Sequence, residues 1–473
     1  MAMLSATEVS AAMRITHGLV RWSPCGGYFA AATGNRLSIR DAQSLQMVQR
    51  YSTVDVIQTV SWSEDSQMVL TAMYKRAVVQ IWSVQDASWT CKISEGVAGL
   101  IFAKWAPGAR HVLTVSDFQL HATVWSLEEP TARCSIRNPK LAGEGLSFSA
   151  NGEFLAVAER HDCKDFIGIY SCESWELTAH FSIESYDCVE IAWSPDNATI
   201  AVRDIHLEFR VLLYSPDGTL LAKYQAYENA LGLKAMAWSA SGQFLALGSY
   251  DEHLRVLSHI NWKPVADFDH ESIAITSSHT NQAAIEYEES FANASVMERP
   301  QGRRIAVTQR SSSLLSNSLQ AASAAAQAAG SKKIRDICFV TREPPFSVRT
   351  IASDPLTENP RMGISRVVWS GDSAFIATRS DQMPYNVWIW RTQSLTLHSV
   401  VSLLESVRSL RWDPVHTRLA ITSGENRVHL WSVEGISWID IPIESFQALG
   451  LQWAPTGDAL VAVGRQEFCT ITL

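Results

Sequence analysis

Cysteine is scarce and scattered in this chain: eight among 473 residues, at Cys25, Cys91, Cys134, Cys163, Cys172, Cys188, Cys338 and Cys469. No two stand in a C-x-x-C pair, which removes the zinc-knuckle and thioredoxin-like readings. Thiols this sparse fit a reducing compartment. No apolar run approaches the roughly eighteen residues of a membrane span. The opening MAMLSATEVSAAMRITHG lacks a basic segment followed by an apolar core, so no secretory signal is expected. Positive charge is short too, with 39 basic against 48 acidic residues and a net charge of −9. Such a chain has no broad basic field for phosphate backbones, and nucleic acid is not an expected partner. The run Arg299–Arg304 (RPQGRR) reads as a solvated loop. Also missing are G-x-G-x-x-G after a strand, G-x-x-x-x-G-K-[ST], H-E-x-x-H and G-x-S-x-G. Hence no cofactor, metal set, catalytic residue or small-molecule substrate is expected, and the chain reads as a non-enzyme.

Tryptophan, by contrast, is abundant: 17 residues, most of them recurring in register. The repeated unit is an apolar residue, any residue, Trp or Phe, a small residue, turn residues and then an apolar run. Examples are LVRWSPCGGYFAAA from Leu19, GLSFSANGEFLAVA from Gly145 and RVVWSGDSAFIATR from Arg366. The aromatic anchors are Trp22, Trp62, Trp105, Phe148, Trp193, Trp238, Trp369, Trp412 and Trp453. Their successive spacings are 40, 43, 43, 45, 45, 131, 43 and 41 residues. A period of about 40–45 residues is that of four-stranded WD-repeat blades.

About twenty residues after each anchor comes an alternating strand, as in VVQIWSV to Trp82, HATVWSL to Trp125, NVWIWRT to Trp390 and RVHLWSV to Trp431. Alternation marks a strand with one buried face. Four units carry a further tryptophan, Trp89, Trp175, Trp262 or Trp438, expected on the fourth, outermost strand. One blade cannot bury its own faces, so the blades must stack. The expectation is an all-β WD-repeat propeller with nine clear units, as a single large ring or as two smaller ones.

The 131-residue interval holds low-complexity sequence, RSSSLLSNSLQAASAAAQAAGSKK, over residues 310–333. It reads either as a surface loop or as a short helix ended by Gly330. The flanking segments Ala283–Glu289, Arg335–Val340 and Phe346–Ile351 look like strands and together make one irregular blade. The last unit stops at its third strand, and Thr7–Arg14 is expected to supply the fourth. The organisation is therefore residues 1–270 for six blades with the closing strand, 271–360 for the irregular blade with an insertion near 290–333, and 361–473 for the final blades.

The densest polar cluster is Glu159-Arg160-His161-Asp162-Cys163-Lys164-Asp165. A nucleophile or metal reading fails here because no further ligand is in view. By position the cluster is a loop between the second and third strands of its blade. Equivalent loops bring Tyr74, Lys75 and Arg76, then Arg203–His206, Tyr250 and Asp251, and Arg379, Asp381 and Tyr385. With Arg160, His161, Asp162 and Lys164 they suit a protein-binding face; ordinary solvated loops are the other reading.

Longer stretches carry a resemblance. They are AMYKRAVVQIWSVQDASWTCKISEGVAGL (Ala72–Leu100), AERHDCKDFIGIYSCESWEL (Ala158–Leu177), LLYSPDGTLLAKYQAYENALGLKAMAWSASGQFLALGSYDEHLRVL (Leu212–Leu257) and NPRMGISRVVWSGDSAFIATRSDQMPYNVWIW (Asn359–Trp390). In these the chain resembles the WD repeat-containing protein 8 family, centrosomal and spindle-pole proteins also named for lying antisense to a p53-family tumour-protein gene. The resemblance implies an adaptor at the microtubule-organising centre: the centrosome, centriolar satellites or spindle pole body. It implies a coiled-coil anchoring partner and, through that complex, a minus-end-directed kinesin. It further implies roles in microtubule anchoring, spindle assembly and cilium formation. No catalytic residue comes with it. One departure from the WD pattern is that Trp-Ser or Tyr-Ser mostly replaces Trp-Asp, as at Trp82-Ser83 and Tyr214-Ser215. The usual buried Asp-His-Ser-Trp network should then be mostly missing. An adaptor in RNA handling or translation is the alternative class, and an enzyme with a cofactor in a central channel is the third.

Overall fold

A computed structural model of the chain describes residues 7–128, 132–270, 273–274, 284–291, 337–354, 356–357 and 359–473. Among them there is no α-helix, only strands and four short 3-10 turns. The chain forms two compact units. One comprises Ile15–Asp269 with Met362–Val367 and holds six four-stranded antiparallel blades. The other comprises Met1–Arg14, His270–Arg361 and Val368–Leu473 and holds the remaining blades, bringing the total to the expected nine.

Each repeat becomes one sheet of strands A to D in chain order. All nine anchors are the last residue of a strand A: Val20–Trp22, Thr59–Trp62, Phe102–Trp105, Leu146–Phe148, Cys188–Trp193, Leu233–Trp238, Ile364–Trp369, Ser409–Trp412 and Gly450–Trp453. The residue after the anchor makes the A–B turn. In six blades it is a buried serine, Ser23, Ser63, Ser149, Ser194, Ser239 or Ser370. Its hydroxyl accepts the backbone N–H five residues later, at 2.9–3.0 Å. A serine side chain can satisfy a turn amide in this way, so Trp-Ser codes the hairpin locally.

Five of the anchors also tie their blade to the one before. The Trp62 indole N–H donates to the Arg21 carbonyl at 2.9 Å, Trp105 to Ser61 at 3.2 Å and Trp238 to Ala192 at 3.3 Å. In the smaller unit Trp412 donates to Val368 at 3.0 Å and Trp453 to Arg411 at 2.9 Å. Each of these five acceptors is the residue just before the preceding blade's anchor, so the repeat period recurs in the hydrogen bonds. The core follows suit as a succession of apolar layers between neighbouring blades. One layer joins Leu37, Ile39 and Tyr51 to Ile57, Val60 and Trp62, and another joins Ile167 and Ile169 to Ile191, Trp193 and Leu212. A buried indole removes about 150–250 Å² from water, on the order of 4–6 kcal/mol as an upper bound.

The last blade is completed as expected. Glu8–Val9 and Met13–Arg14 both pair antiparallel with Glu467–Thr472, with Glu8 opposite Thr472 and Met13 opposite Phe468.

Two expectations are corrected. The strands of the long interval do not build a blade of their own. Ile285–Phe291 and Ile337–Arg342 form a hairpin that extends blade seven to six strands, Ile285–Phe291 lying parallel to that blade's strand D, Thr396–Ser402. Among the described residues Phe346–Ser347 pairs with Ile273–Ala274 alone. Parallel addition satisfies strand D's open edge, which a separate blade would have left bare. Residues 310–333 lie outside the described residues. Secondly, of the four extra tryptophans only Trp438 lies on a fourth strand, Gly435–Asp440. Trp89, Trp175 and Trp262 sit in C–D turns. Trp175 and Trp262 hold left-handed backbone, φ 60° and 55°, each donating its N–H at 2.8 Å to the carbonyl four residues back. Ring packing offsets that strain: buried Trp175 packs on His111, and half-buried Trp262 packs edge-on to Trp238.

Candidate functional site

Antiparallel order puts the B–C turn at the same end of a blade as the incoming D–A connection, and ion pairs between them fix that end. In the six-blade unit Arg76 reaches Asp55 at 3.0 Å, and Arg160 reaches Asp187 at 2.6 Å. Lys140 bridges Asp165 and Asp187 at 2.6 and 2.5 Å. Burial raises the Asp187 carboxyl, but the Lys140 and Arg160 cations hold it below the usual carboxylate range. Asp165, almost fully buried, accepts the Cys188 amide at 2.7 Å and the Ser185 hydroxyl at 2.8 Å. These bonds order the backbone of the connecting loop.

The residues picked from sequence fare unequally here. Lys75, Arg76, Arg160, Asp162 and Lys164 are exposed. Tyr74 is half-buried, its hydroxyl 2.7 Å from that of Thr59. Tyr250 offers almost no surface: it is 4% exposed, with the Lys234 ammonium 4.9 Å above its ring. Asp251 is committed to Arg255 at 2.7 Å, and this bond with that from Ser249 holds it below its usual range although burial alone would raise it. In the three-blade unit Arg379 donates to Asp381 at 3.2 Å and to the Val407 carbonyl at 2.8 Å, and the Arg349 guanidinium lies 4.2 Å from the Tyr385 ring. The Trp-to-Thr part of the WD network survives in three blades. Trp82 bonds Thr71, Trp125 bonds Thr114, and Trp390 bonds Thr378, which also meets His270 at 2.7 Å.

Charge patterning alone missed the apolar part of this end. Exposed Val54 and Val56 precede blade two, Val97 precedes blade three, Phe118 and Leu120 form the B–C turn of blade three, Tyr186 precedes blade five, and Leu207 lies in its B–C turn. Phe118 is 92% exposed on left-handed backbone, φ 56°, next to Gln119 at φ 55°. A phenyl ring held in water on such a turn adds little to folding. An exposed aromatic inside a polar turn was the available signal.

Blade four also gathers a cluster that sequence spacing did not reveal. Glu159 and His161, two apart on strand B (Phe154–His161), share a face, and His180 comes from strand D (Leu177–Ser182). Between them runs strand C (Lys164–Ser171), where Gly168 lies opposite His180. A Cβ on Gly168 would stand 2.5 Å from Glu159 Oε1, so only glycine lets the carboxylate cross to His180. Oε2 of Glu159 is 3.1 Å from Nε2 of His161 and 3.3 Å from Nε2 of His180. The Tyr170 hydroxyl donates to Oε1 at 3.0 Å, and burial together with the Glu159 charge pushes that phenol up. The absence of a further ligand near His161 thus holds only along the sequence; across the strands there is one.

Nine blades of four-strand repeats, anchored by tryptophan and presenting a mixed apolar and basic loop end, define a WD-repeat propeller scaffold. The comparisons agree. The C-terminal WD40 domain of Sif2 matches over 100% of this chain and 99% of its own, with a TM-score of 0.50 at 10% identity, a likeness of fold alone. No family model matches. An uncharacterised WD repeat-containing protein of Schizosaccharomyces pombe is 20% identical over 369 residues, 74% of this chain and 65% of that protein. WD repeat-containing protein WRAP73 of Mus musculus is 39% identical over 461 residues, covering 97% of this chain and 94% of its own length. The chain belongs to the family of WD repeat-containing proteins that includes WRAP73.

Proposed function

We propose that the protein is a non-enzymatic adaptor at the microtubule-organising centre, where it helps anchor microtubule minus ends and organise the spindle. Its partner is a coiled-coil anchoring protein of the centrosome or spindle pole, and a minus-end-directed kinesin joins through that complex. Neither membrane nor nucleic acid takes part. The observation that carries the docking role is the loop end of the six-blade unit, where Phe118, Leu120, Val97, Val54 and Val56 stand in solvent beside Lys75 and Arg76. A helix with an apolar seam and acidic flanks matches that chemistry. The centrosomal setting draws its support from the resemblance of Ala72–Leu100 and Asn359–Trp390 to spindle-pole family members.

Tagged protein should form one or two foci that follow the spindle poles, and purification should recover a coiled-coil protein. Reversing the charges of Lys75, Arg76 and Arg160 together should abolish that recovery while the fold persists. Diffuse signal throughout mitosis, or recovery of ribosomal subunits or RNA instead, would overturn the proposal.

A further inference from the structure

The geometry points to a divalent transition-metal site, best suited to zinc, formed by Glu159, His161 and His180 on blade four. The donor set is two imidazoles and one carboxylate, the combination that zinc takes in sites keeping a fourth position for water. Zinc bonds of about 2.0–2.1 Å set tetrahedral edges of roughly 3.3 Å. Two of the three edges here are already 3.1 and 3.3 Å, and all three donor atoms lie within 4.8 Å of one another. Rotating two imidazoles by a fraction of an ångström at the tip completes the arrangement.

The surroundings are those a metal site needs. Tyr170 occupies Oε1 and leaves Oε2 for the ion, which is how an outer hydrogen bond orients a ligating carboxylate. Phe166 stacks on His180 at 5.1 Å and 11°, and meets His161 edge-on at 5.7 Å, so both ring planes are set. Asn138 stands 3.4 Å from Nδ1 of His161. Its amide oxygen, turned inward by a side-chain flip, is the acceptor that an imidazole ligated through Nε2 requires. The His161 and His180 side chains are about a third exposed, against 6% for Glu159, so an ion can enter from solvent and keep a water. Bound there, it would staple strand B and its turn to the outer strand D across Gly168. The site is independent of the docking role proposed above.

The test uses the full chain stripped with a chelator. Calorimetric titration with Zn²⁺ should show one saturable equivalent, and Co²⁺ should give the intense visible bands of tetrahedral cobalt. H161A and H180A should each lose both signals with unchanged far-ultraviolet circular dichroism. Y170F should weaken zinc about ten-fold, as loss of an outer-shell partner does. Gly168→Ala is a second route, since its backbone is ordinary and the added methyl would crowd the Glu159 carboxylate at 2.5 Å and the Tyr170 ring at 3.0 Å; it too should lose the cobalt bands. Absence of a saturable equivalent in the wild type overturns the proposal and leaves a plain hydrogen-bonded triad. So does zinc binding that survives in the H161A/H180A double variant.

Discussion

In blade four the outer strand Leu177–Ser182 faces solvent along most of its length, as the last strand of a four-stranded sheet does. In blade seven the corresponding strand, Thr396–Ser402, is buried at Ser399–Val401, because Ile285–Phe291 lies beside it. The added strand carries acids inward. Glu286 and Glu289 are each 2% exposed, the former accepting from Ser402 at 2.6 Å and the latter from the Leu404 amide at 3.0 Å. Blade eight answers with Arg427, 3.5 Å from Glu289, and with a wholly buried His429. Regular blades thus join apolar layers with buried carboxylates such as Asp165 that are paired to cations, while the extended blade and its neighbour bury Glu286, Glu289 and a neutral histidine. In the regular blades the shifted carboxyls, Asp187 and Asp251, are held low by cations, whereas in the extended pair of blades burial raises Glu286 and Glu289 and depresses His429.

The comparison can be broken in order of expected effect. In the regular region, Trp193→Ala should cost about 3–5 kcal/mol, the usual price of deleting a buried indole; chemical denaturation measures it, and an unchanged melting temperature would refute the layer assignment. In the extended region, Arg427→Met should cost about 3 kcal/mol because it strands a buried carboxylate. The double change with Glu289→Leu should recover most of that loss. If it recovers nothing, the pair is not coupled.

Acidification gives a smaller effect. Burial first, then Arg427, drives His429 down to about 3, and burial with Arg391 drives His398 to about 4. A depressed imidazole stabilises the fold above the ordinary histidine range and loses that contribution as pH falls through it. From pH 7 to pH 5 His429 alone should cost about 2 kcal/mol. Glu286 and Glu289 are raised by burial, so their contribution has the opposite sign: present at acid pH and lost as pH rises. His429→Phe should flatten the fall in melting temperature between pH 7 and 5, and an unchanged slope would contradict the neutral burial. Least of all, Phe118→Ser should move stability by under about 0.5 kcal/mol, whereas a larger loss would mean the ring packs within the fold.

Much of this was legible in the residues. Nine aromatic anchors mark nine strand ends, and in six of the blades the corner that follows is local: one serine hydroxyl serves one amide five residues away. The N-terminal strand could be inferred from a blade one strand short. Three kinds of feature were not readable. Trp175 and Trp262 looked like strand residues, yet they occupy left-handed turn positions, Trp175 packing on His111 of the preceding blade and Trp262 on Trp238 of its own. Tyr250 looked like a contact residue, but Lys234, sixteen residues away, covers it. The ligand companion of Glu159 and His161 sits two strands off, reachable only through the gap at Gly168.

By itself the sequence determined the blade, because periodic apolar strands and a hydroxyl-capped turn use contacts within a few residues of one another. Tertiary structure alone decided where Ile285–Phe291 docks, which ionisable groups lose their water and which histidines meet. Those outcomes depend on which edge is left open and on the space a missing side chain leaves, and neither is written in any local stretch of chain.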